Sequence, residues 1–150
     1  MKGKAVAFGH RSREERDVGV PKVCVDYVFM ADKQTAGEEK GMPIVVVKDR
    51  KFKMLWARAV HQKGVHPYPV MRLVNDLRLL GHRKIILKSD GEPGLVALKG
   101  AVKRKTEVEV IPEEAPVGEH QANGEIEAAV EQVQGQFRAM KDALDTRYGK

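Results

Sequence analysis

Apolar and polar positions along this chain fall first into strand-like and then into helix-like periods. Lys22 to Met30 (KVCVDYVFM) alternates, with Val23, Val25 and Tyr27 on one face and Cys24, Asp26 and Val28 on the other. After a polar loop over 31–41, Met42 to Lys48 (MPIVVVK) is a nearly continuous β-branched run. A tight polar turn at Asp49 to Lys51 and a return over Lys53 to Val60 predict that strands two and three form a hairpin. The period then lengthens. Val70, Leu73, Val74, Leu77 and Leu80 follow Pro69 at helical spacing, and Gly81 marks the stop. Lys84 to Lys88 (KIILK) fits a short buried strand, broken by Ser89 to Pro93. Pro93 can open a second helix with Leu95, Leu98 and Val102 inward and Lys99, Lys103, Arg104 and Lys105 near the outside. Glu107 to Ile111 alternates as a fifth strand, and Pro112 to Gln121 reads as loop. From Ala122, the residues Ile126, Val130, Val133, Phe137, Met140 and Leu144 draw the apolar stripe of a long helix. Residues 1–20 hold no sustained period and read as a polar arm or linker; 21–145 form the core and 146–150 a tail. The order β-β-β-α-β-α-β-α predicts an α/β fold with one five-stranded mixed sheet, its first three strands antiparallel and the rest joined by parallel helical crossovers.

Composition narrows the classes. The chain has 150 residues, enough for one domain with a real core, and a single Cys24 excludes a disulfide framework or a Cys-rich zinc site. No apolar run approaches a membrane span or a secretory signal, so the expectation is an intracellular protein, cytoplasmic and nuclear, with no membrane partner. Charge is unevenly distributed. Residues 1–53 hold 12 basic and 8 acidic side chains, 54–105 hold 11 and 3, and 106–150 hold 4 and 10. The first two segments suit a polyanionic partner, because Lys and Arg that neutralise phosphates supply most non-specific nucleic-acid affinity.

Three acids sit where a purely structural account does not expect them. Asp26 interrupts an apolar strand, where Asp is disfavoured. Asp90 lies just past the C-terminal end of the KIILK strand, the edge at which open α/β sheets hold ligands. Glu127 lies near the start of the last helix, beside its apolar stripe. With strands one and four as neighbours, Asp26 and Asp90 would stand side by side and the last helix could lay Glu127 against them. Such a group suits a hard divalent cation, and Mg²⁺ takes a few carboxylates together with substrate phosphate oxygens. Each acid also has a plain reading: Asp26 could bond a turn amide, Asp90 could cap a helix, and Glu127 could be a solvated first-turn acid.

The same residues resemble the catalytic core of retroviral and long-terminal-repeat retrotransposon integrases, the DDE group of the RNase H-like fold. Three blocks carry the resemblance: Val23-Cys24-Val25-Asp26-Tyr27, Leu87-Lys88-Ser89-Asp90-Gly91-Glu92-Pro93, and Pro116 to Glu127 (PVGEHQANGEIE). The third is the most specific, because in that family an Asn-Gly or Gln-Gly pair precedes the catalytic Glu by three residues. Gly124 therefore points to Glu127 rather than Glu125 or Glu131. Between Asp90 and Glu127 lie 36 residues, close to the family spacing, and between Asp26 and Asp90 lie 63, a longer interval that the 31–41 loop can hold. The chain departs from the family in three ways. Only His10 precedes the core, where the family's N-terminal zinc module needs two His and two Cys, so that module is not expected within these 150 residues. Glu131 and Gln134 stand where basic residues often follow the catalytic Glu. The chain ends at Lys150, as a piece of a longer polyprotein would.

The resemblance implies a polynucleotidyl transferase that trims 3′ DNA ends and joins them to target DNA with two divalent ions, Mg²⁺ or Mn²⁺. Asp26 would bridge both ions, Asp90 would hold one and Glu127 the other. The 112–123 segment would be a mobile lip hinged at Gly118 and Gly124. His120, Gln121 and Asn123 are expected to touch DNA there, with Lys103 and Arg104 as further phosphate contacts, although a loop His and a solvated helix end explain His120 and the basic pair equally simply. A homo-oligomer is expected, since two DNA ends must be handled. His61 and His66 lack further ligands for a metal, and Trp56 and Tyr27 read as core. Two rivals remain: an RNase H or resolvase-type nuclease on the same fold, and a catalytically silent integrase-like module for DNA binding or assembly.

Overall fold

The computed structural model describes residues 19–29, 41–115 and 120–149, with side chains 120–123 excluded. Five strands form one sheet in the order β3-β2-β1-β4-β5: β1 Lys22–Phe29, β2 Pro43–Asp49, β3 Leu55–Ala59, β4 Lys84–Ser89 and β5 Glu109–Glu114. The hairpin pairs β1–β2 and β2–β3 are antiparallel, while β1–β4 and β4–β5 are parallel. Helices α1 (Pro67–Leu80) and α2 (Pro93–Lys105) make the crossovers, and α3 (His120–Tyr148) follows β5. The predicted five-stranded mixed sheet is therefore present, with the strand order that makes β1 and β4 neighbours.

Alternation along β1 divides the core in two. Val23, Val25 and Tyr27 pack with Val70, Leu73 and Leu77 of α1 and Leu95, Leu98 and Val102 of α2. Cys24 and Val28 join Val46 of β2 and Ile126, Ala129 and Val133 of α3 on the opposite face. Leu95 and Leu98 are fully buried, which removes enough apolar surface to stabilise the fold by about 1.5–3 kcal/mol per side chain. By the same alternation Asp26 belongs to the Cys24 and Val28 face, so the sheet turns it toward the α3 side.

Several expectations need correction. β5 begins at Glu109 and runs to Glu114, through the Pro112 taken as its end. A proline is tolerated there because β5 is an edge strand, and its missing N–H costs no ladder bond on the open side. The expected loop over 112–121 therefore gives up 112–114 to β5 and 120–121 to α3, and residues 116–119, Gly118 among them, lie outside the described residues. Gly124 is within α3, not at a loop hinge. The helix also continues to Tyr148, past the expected tail boundary. Its apolar stripe is buried only as far as Val133. Phe137, Met140 and Leu144 are exposed, because a 29-residue helix is roughly 43 Å long and outruns the strands it covers. Of the expected arm, 1–20, residues 1–18 lie outside the described residues. No helix among the described residues is long and apolar enough to cross a membrane.

Lys99 reverses its expected position. It is buried, and its Nζ donates to the Glu113 carbonyl at 2.7 Å and to Glu114 Oε1 at 3.0 Å. The ammonium thus satisfies the carbonyl end of β5, which the helical period alone could not reveal. Lys99→Met keeps the apolar stem but strands the Glu113 carbonyl, so the expected loss is about 1–3 kcal/mol. Urea denaturation measures it; an unchanged midpoint would show that water replaces the ammonium without cost.

Candidate active site

The β1–β4 register builds the site. Lys22, Val23 and Cys24 pair with Ile86, Leu87 and Lys88, and the same register continued by two residues sets Asp26 opposite Asp90. Asp26 is a half-buried strand residue and Asp90 is exposed just beyond β4, at the C-terminal edge of the parallel strands. Each carboxylate accepts one nearby amide. Tyr27 N–H donates to Asp26 Oδ1 at 2.8 Å, and Glu92 N–H donates to Asp90 Oδ1 at 2.9 Å. The amide that Asp26 accepts is its strand neighbour's and not a turn's, and Asp90 accepts the N–H of Glu92, the residue at the N-cap, instead of capping α2 itself.

Electrostatics register that juxtaposition. The Asp26 carboxyl is raised from 3.8 to about 6, chiefly by burial. The Tyr27 amide lowers it, Asp90 and Glu92 raise it further by repulsion, and Lys63 lowers it. A carboxyl raised in the folded state binds its proton more tightly there than in the unfolded chain. Its effect on stability is therefore absent below about pH 4 and becomes a cost as the pH rises through 6. Discounted for partial exposure, a shift of this size destabilises the metal-free protein by on the order of 1–2 kcal/mol. In chelator at about pH 8, Asp26→Asn should raise the melting temperature by about 3–6 °C, and at about pH 4 it should leave it unchanged. Thermal melts at the two pH values check this, and a drop at high pH would contradict it.

The third acid stands differently. Glu127 is exposed on α3, a helix that packs on the Asp26 side of the sheet through Ile126, Ala129 and Val133. Glu125 flanks the same buried stripe on the other side and pairs with Arg50 at 2.9 Å. α3 thus lies on the face of the sheet to which Asp26 belongs. However, no group of three His, Cys, Asp or Glu side chains among the described residues could hold a metal ion together. Asp26 and Asp90 fit Mg²⁺ as the one or two carboxylates such an ion takes while keeping waters for a phosphate. Closure of the expected three-acid set around a metal is not present.

Other expected residues are dispersed. Lys103 and Arg104 are exposed in the last turn of α2. His120, Gln121 and Asn123 lie on α3, with side chains outside the described residues. Tyr27 is buried and Trp56 packs against the core, as read. Cys24 is buried beneath α3 with its thiol raised to about 11, first by burial and then by Glu125, so it is no nucleophile. No local pattern in the sequence gives Lys63 or Glu92 a role, although both act on Asp26. A usable signal was present: β3 runs in the same direction as β1, so the loop after β3 must emerge at the edge that carries Asp26 and Asp90.

The catalytic core domain of BIV integrase aligns with a TM-score of 0.52 and 15% identity, over 83% of this chain and 74% of that one. A simian T-cell lymphotropic virus intasome in complex with PP2A regulatory subunit B56 gamma aligns with a TM-score of 0.45 and 14% identity, over 83% of this chain and 45% of that one. No family model and no curated protein matches by sequence. The protein thus has the RNase H-like fold of a retroviral integrase catalytic core.

Proposed function

We propose that this domain is an integrase core performing metal-dependent phosphoryl transfer on DNA, trimming 3′ ends of a retroelement and joining them to target DNA. The observation that supports the reading is the parallel β1–β4 pairing, whose register continued past Cys24 and Lys88 would bring Asp26 and Asp90 together at the C-terminal edge of a sheet with the integrase-core fold. Asp26, Asp90 and Glu127 would hold Mg²⁺ or Mn²⁺. When bound, the metal acts as a Lewis acid on the scissile phosphodiester and its attacking oxygen. The protein supplies no covalent nucleophile: water attacks the phosphorus in trimming, and the freed 3′-hydroxyl attacks in joining. Lys103 and Arg104, with His120, Gln121 and Asn123 at the start of α3, are assigned to DNA contact. Self-association to bring two DNA ends together belongs to the same reading, as do an origin in a longer polyprotein and action in cytoplasm and nucleus.

A silent assembly module is the alternative, favoured by the lack of a three-acid metal group among the described residues. An assay with the parent polypeptide separates the readings. Duplex DNA with an element end, and an RNA–DNA hybrid, are each incubated with Mg²⁺, Mn²⁺ or chelator. End trimming and joining that stop in chelator support integration. Cutting confined to the hybrid points to an RNase H activity, and DNA binding without either reaction points to the silent module.

A further inference from the structure

Asp26 and Asp90 are also connected through the β3–α1 loop. Tyr27 donates its N–H to Asp26, and its Oη accepts the Gly64 N–H at 3.0 Å. Lys63, the residue before Gly64, pairs through Nζ with Glu92 Oε1, and Glu92 donates its own N–H to Asp90. The Lys63 ammonium lies 5.2 Å from the centroid of the Tyr27 ring and 5.0 Å from that of Phe29, a cation–π arrangement that fixes its stem. Backbone packing holds the loop in place. A Cβ at Gly94 would stand 3.3 Å from Lys63 Cβ and 3.4 Å from Gly64 N, so the bare glycine lets the loop lie against the first turn of α2. Gly64 adopts φ 104°, which L side chains rarely tolerate.

Neither sheet ladder holds Asp90 itself. The β1–β4 pairing ends at Lys88 and the β4–β5 pairing at Ser89. Ser89 Oγ donates to the Asp90 carbonyl at 2.7 Å, but the Asp90 carboxylate is tied through the turn to Glu92, whose carbonyl accepts the Leu95 and Val96 N–H groups of α2 and whose side chain is held by Lys63. We propose that Lys63 and Glu92 form a brace fixing Asp90 relative to Asp26, which makes both positioning residues of the site. The inference rests on the reading of that site as a divalent-cation site for phosphoryl transfer. Lys63 does two things at once. It stops the Asp90–Glu92 turn from drifting, and it engages the Glu92 carboxylate so that it does not swing in as a rival ligand. Ligand oxygens serve a metal only when held to about 0.5 Å, so a loose Asp90 should bind more weakly even with its charge intact.

Single substitutions change the local charge, so the decisive variant is Lys63→Met with Glu92→Gln. It removes one charge of each sign and keeps the net charge of the protein. Free Mn²⁺ measured by electron paramagnetic resonance gives the affinity, and amide hydrogen exchange reports on the 90–94 segment. The double variant should bind Mn²⁺ about 10-fold more weakly and exchange faster over 90–94, since outer contacts of metal ligands typically weigh 10–100-fold. Lys63→Arg, which keeps the pair, should retain the wild-type affinity; a general loss of stability would not be rescued in this selective way. Asp26→Asn is the control. Wild-type protein that binds Mn²⁺ tighter than Asp26→Asn but no tighter than the double variant overturns the brace alone. Wild-type protein that binds no tighter than Asp26→Asn overturns the reading on which the brace rests.

Discussion

Replacing Asp26 or Asp90 by Asn, or Glu127 by Gln, is expected to lower metal-dependent DNA trimming or joining by on the order of 10³-fold or more. Each change keeps the shape of the side chain and removes the charge that would bind a cation under the proposed function, where each lost ligand would weigh most as charge develops on the phosphate oxygens. Folding should survive, because Asp26 lies next to another acid and is a cost to the metal-free fold above about pH 6. The measurement is single-turnover joining of a duplex end, with far-UV circular dichroism to show that the variants are folded. Glu125→Gln and Glu131→Gln are the neighbouring controls. Glu125 already pairs with Arg50, so its loss should move stability slightly and the rate hardly at all. Activity lost in Glu125→Gln and kept in Glu127→Gln would place the third acid wrongly. Normal turnover in all three main variants would remove the integrase mechanism altogether.

The parts of the fold that were legible share one property: their periodicity is local. β1 shows alternation in eight residues, and α1 shows a clear apolar stripe between a proline and a glycine. The antiparallel start and parallel finish then follow from the order of elements, and with them the adjacency of β1 and β4, the strands that carry or lead to Asp26 and Asp90. What failed to show in sequence depends on contacts between distant segments. Lys99 looks like its exposed neighbours Lys103 and Arg104, and only the nearby end of β5 draws it inside. Pro112 reads as a strand breaker until β5 is known to be an edge. The same limit applies to the third acid. An Asn-Gly pair and a spacing can nominate Glu127, but the distance between a helix and a strand is set by packing that no local pattern encodes.

Arg58 and Asp76 should give the largest stability effect of the charged pairs among the described residues. Arg58 is on the edge strand β3 and Asp76 on α1, and the guanidinium donates from both Nη atoms to the two carboxylate oxygens. The Asp76 side chain is 2% exposed and that of Arg58 24%. Asp76 holds the guanidinium even more firmly charged than usual, through hydrogen bonds first and charge attraction second, with burial opposing. Breaking such a pair from one side leaves an unpaired charge away from water, at a cost of about 3–5 kcal/mol. The two sides are not equivalent. Arg58 can turn its head to solvent when Asp76→Ala removes its partner, so that variant should fall near the lower end. Asp76 sits on a helix against the sheet and has no such route, so Arg58→Ala should fall near the upper end. Replacing both by apolar residues, Arg58→Met with Asp76→Leu, should recover most of the loss, since no charge is then stranded. Urea melts of the wild type, Arg58→Met, Asp76→Leu and the variant that combines them form a double-mutant cycle, and a near-zero coupling term would show the pair to be a bystander. A further consequence reaches the site. β3 leads directly into the loop that carries Lys63, and α1 starts at its far end, so a loosened β3–α1 junction should also speed amide exchange over 61–66 in Arg58→Ala and not in the double apolar variant.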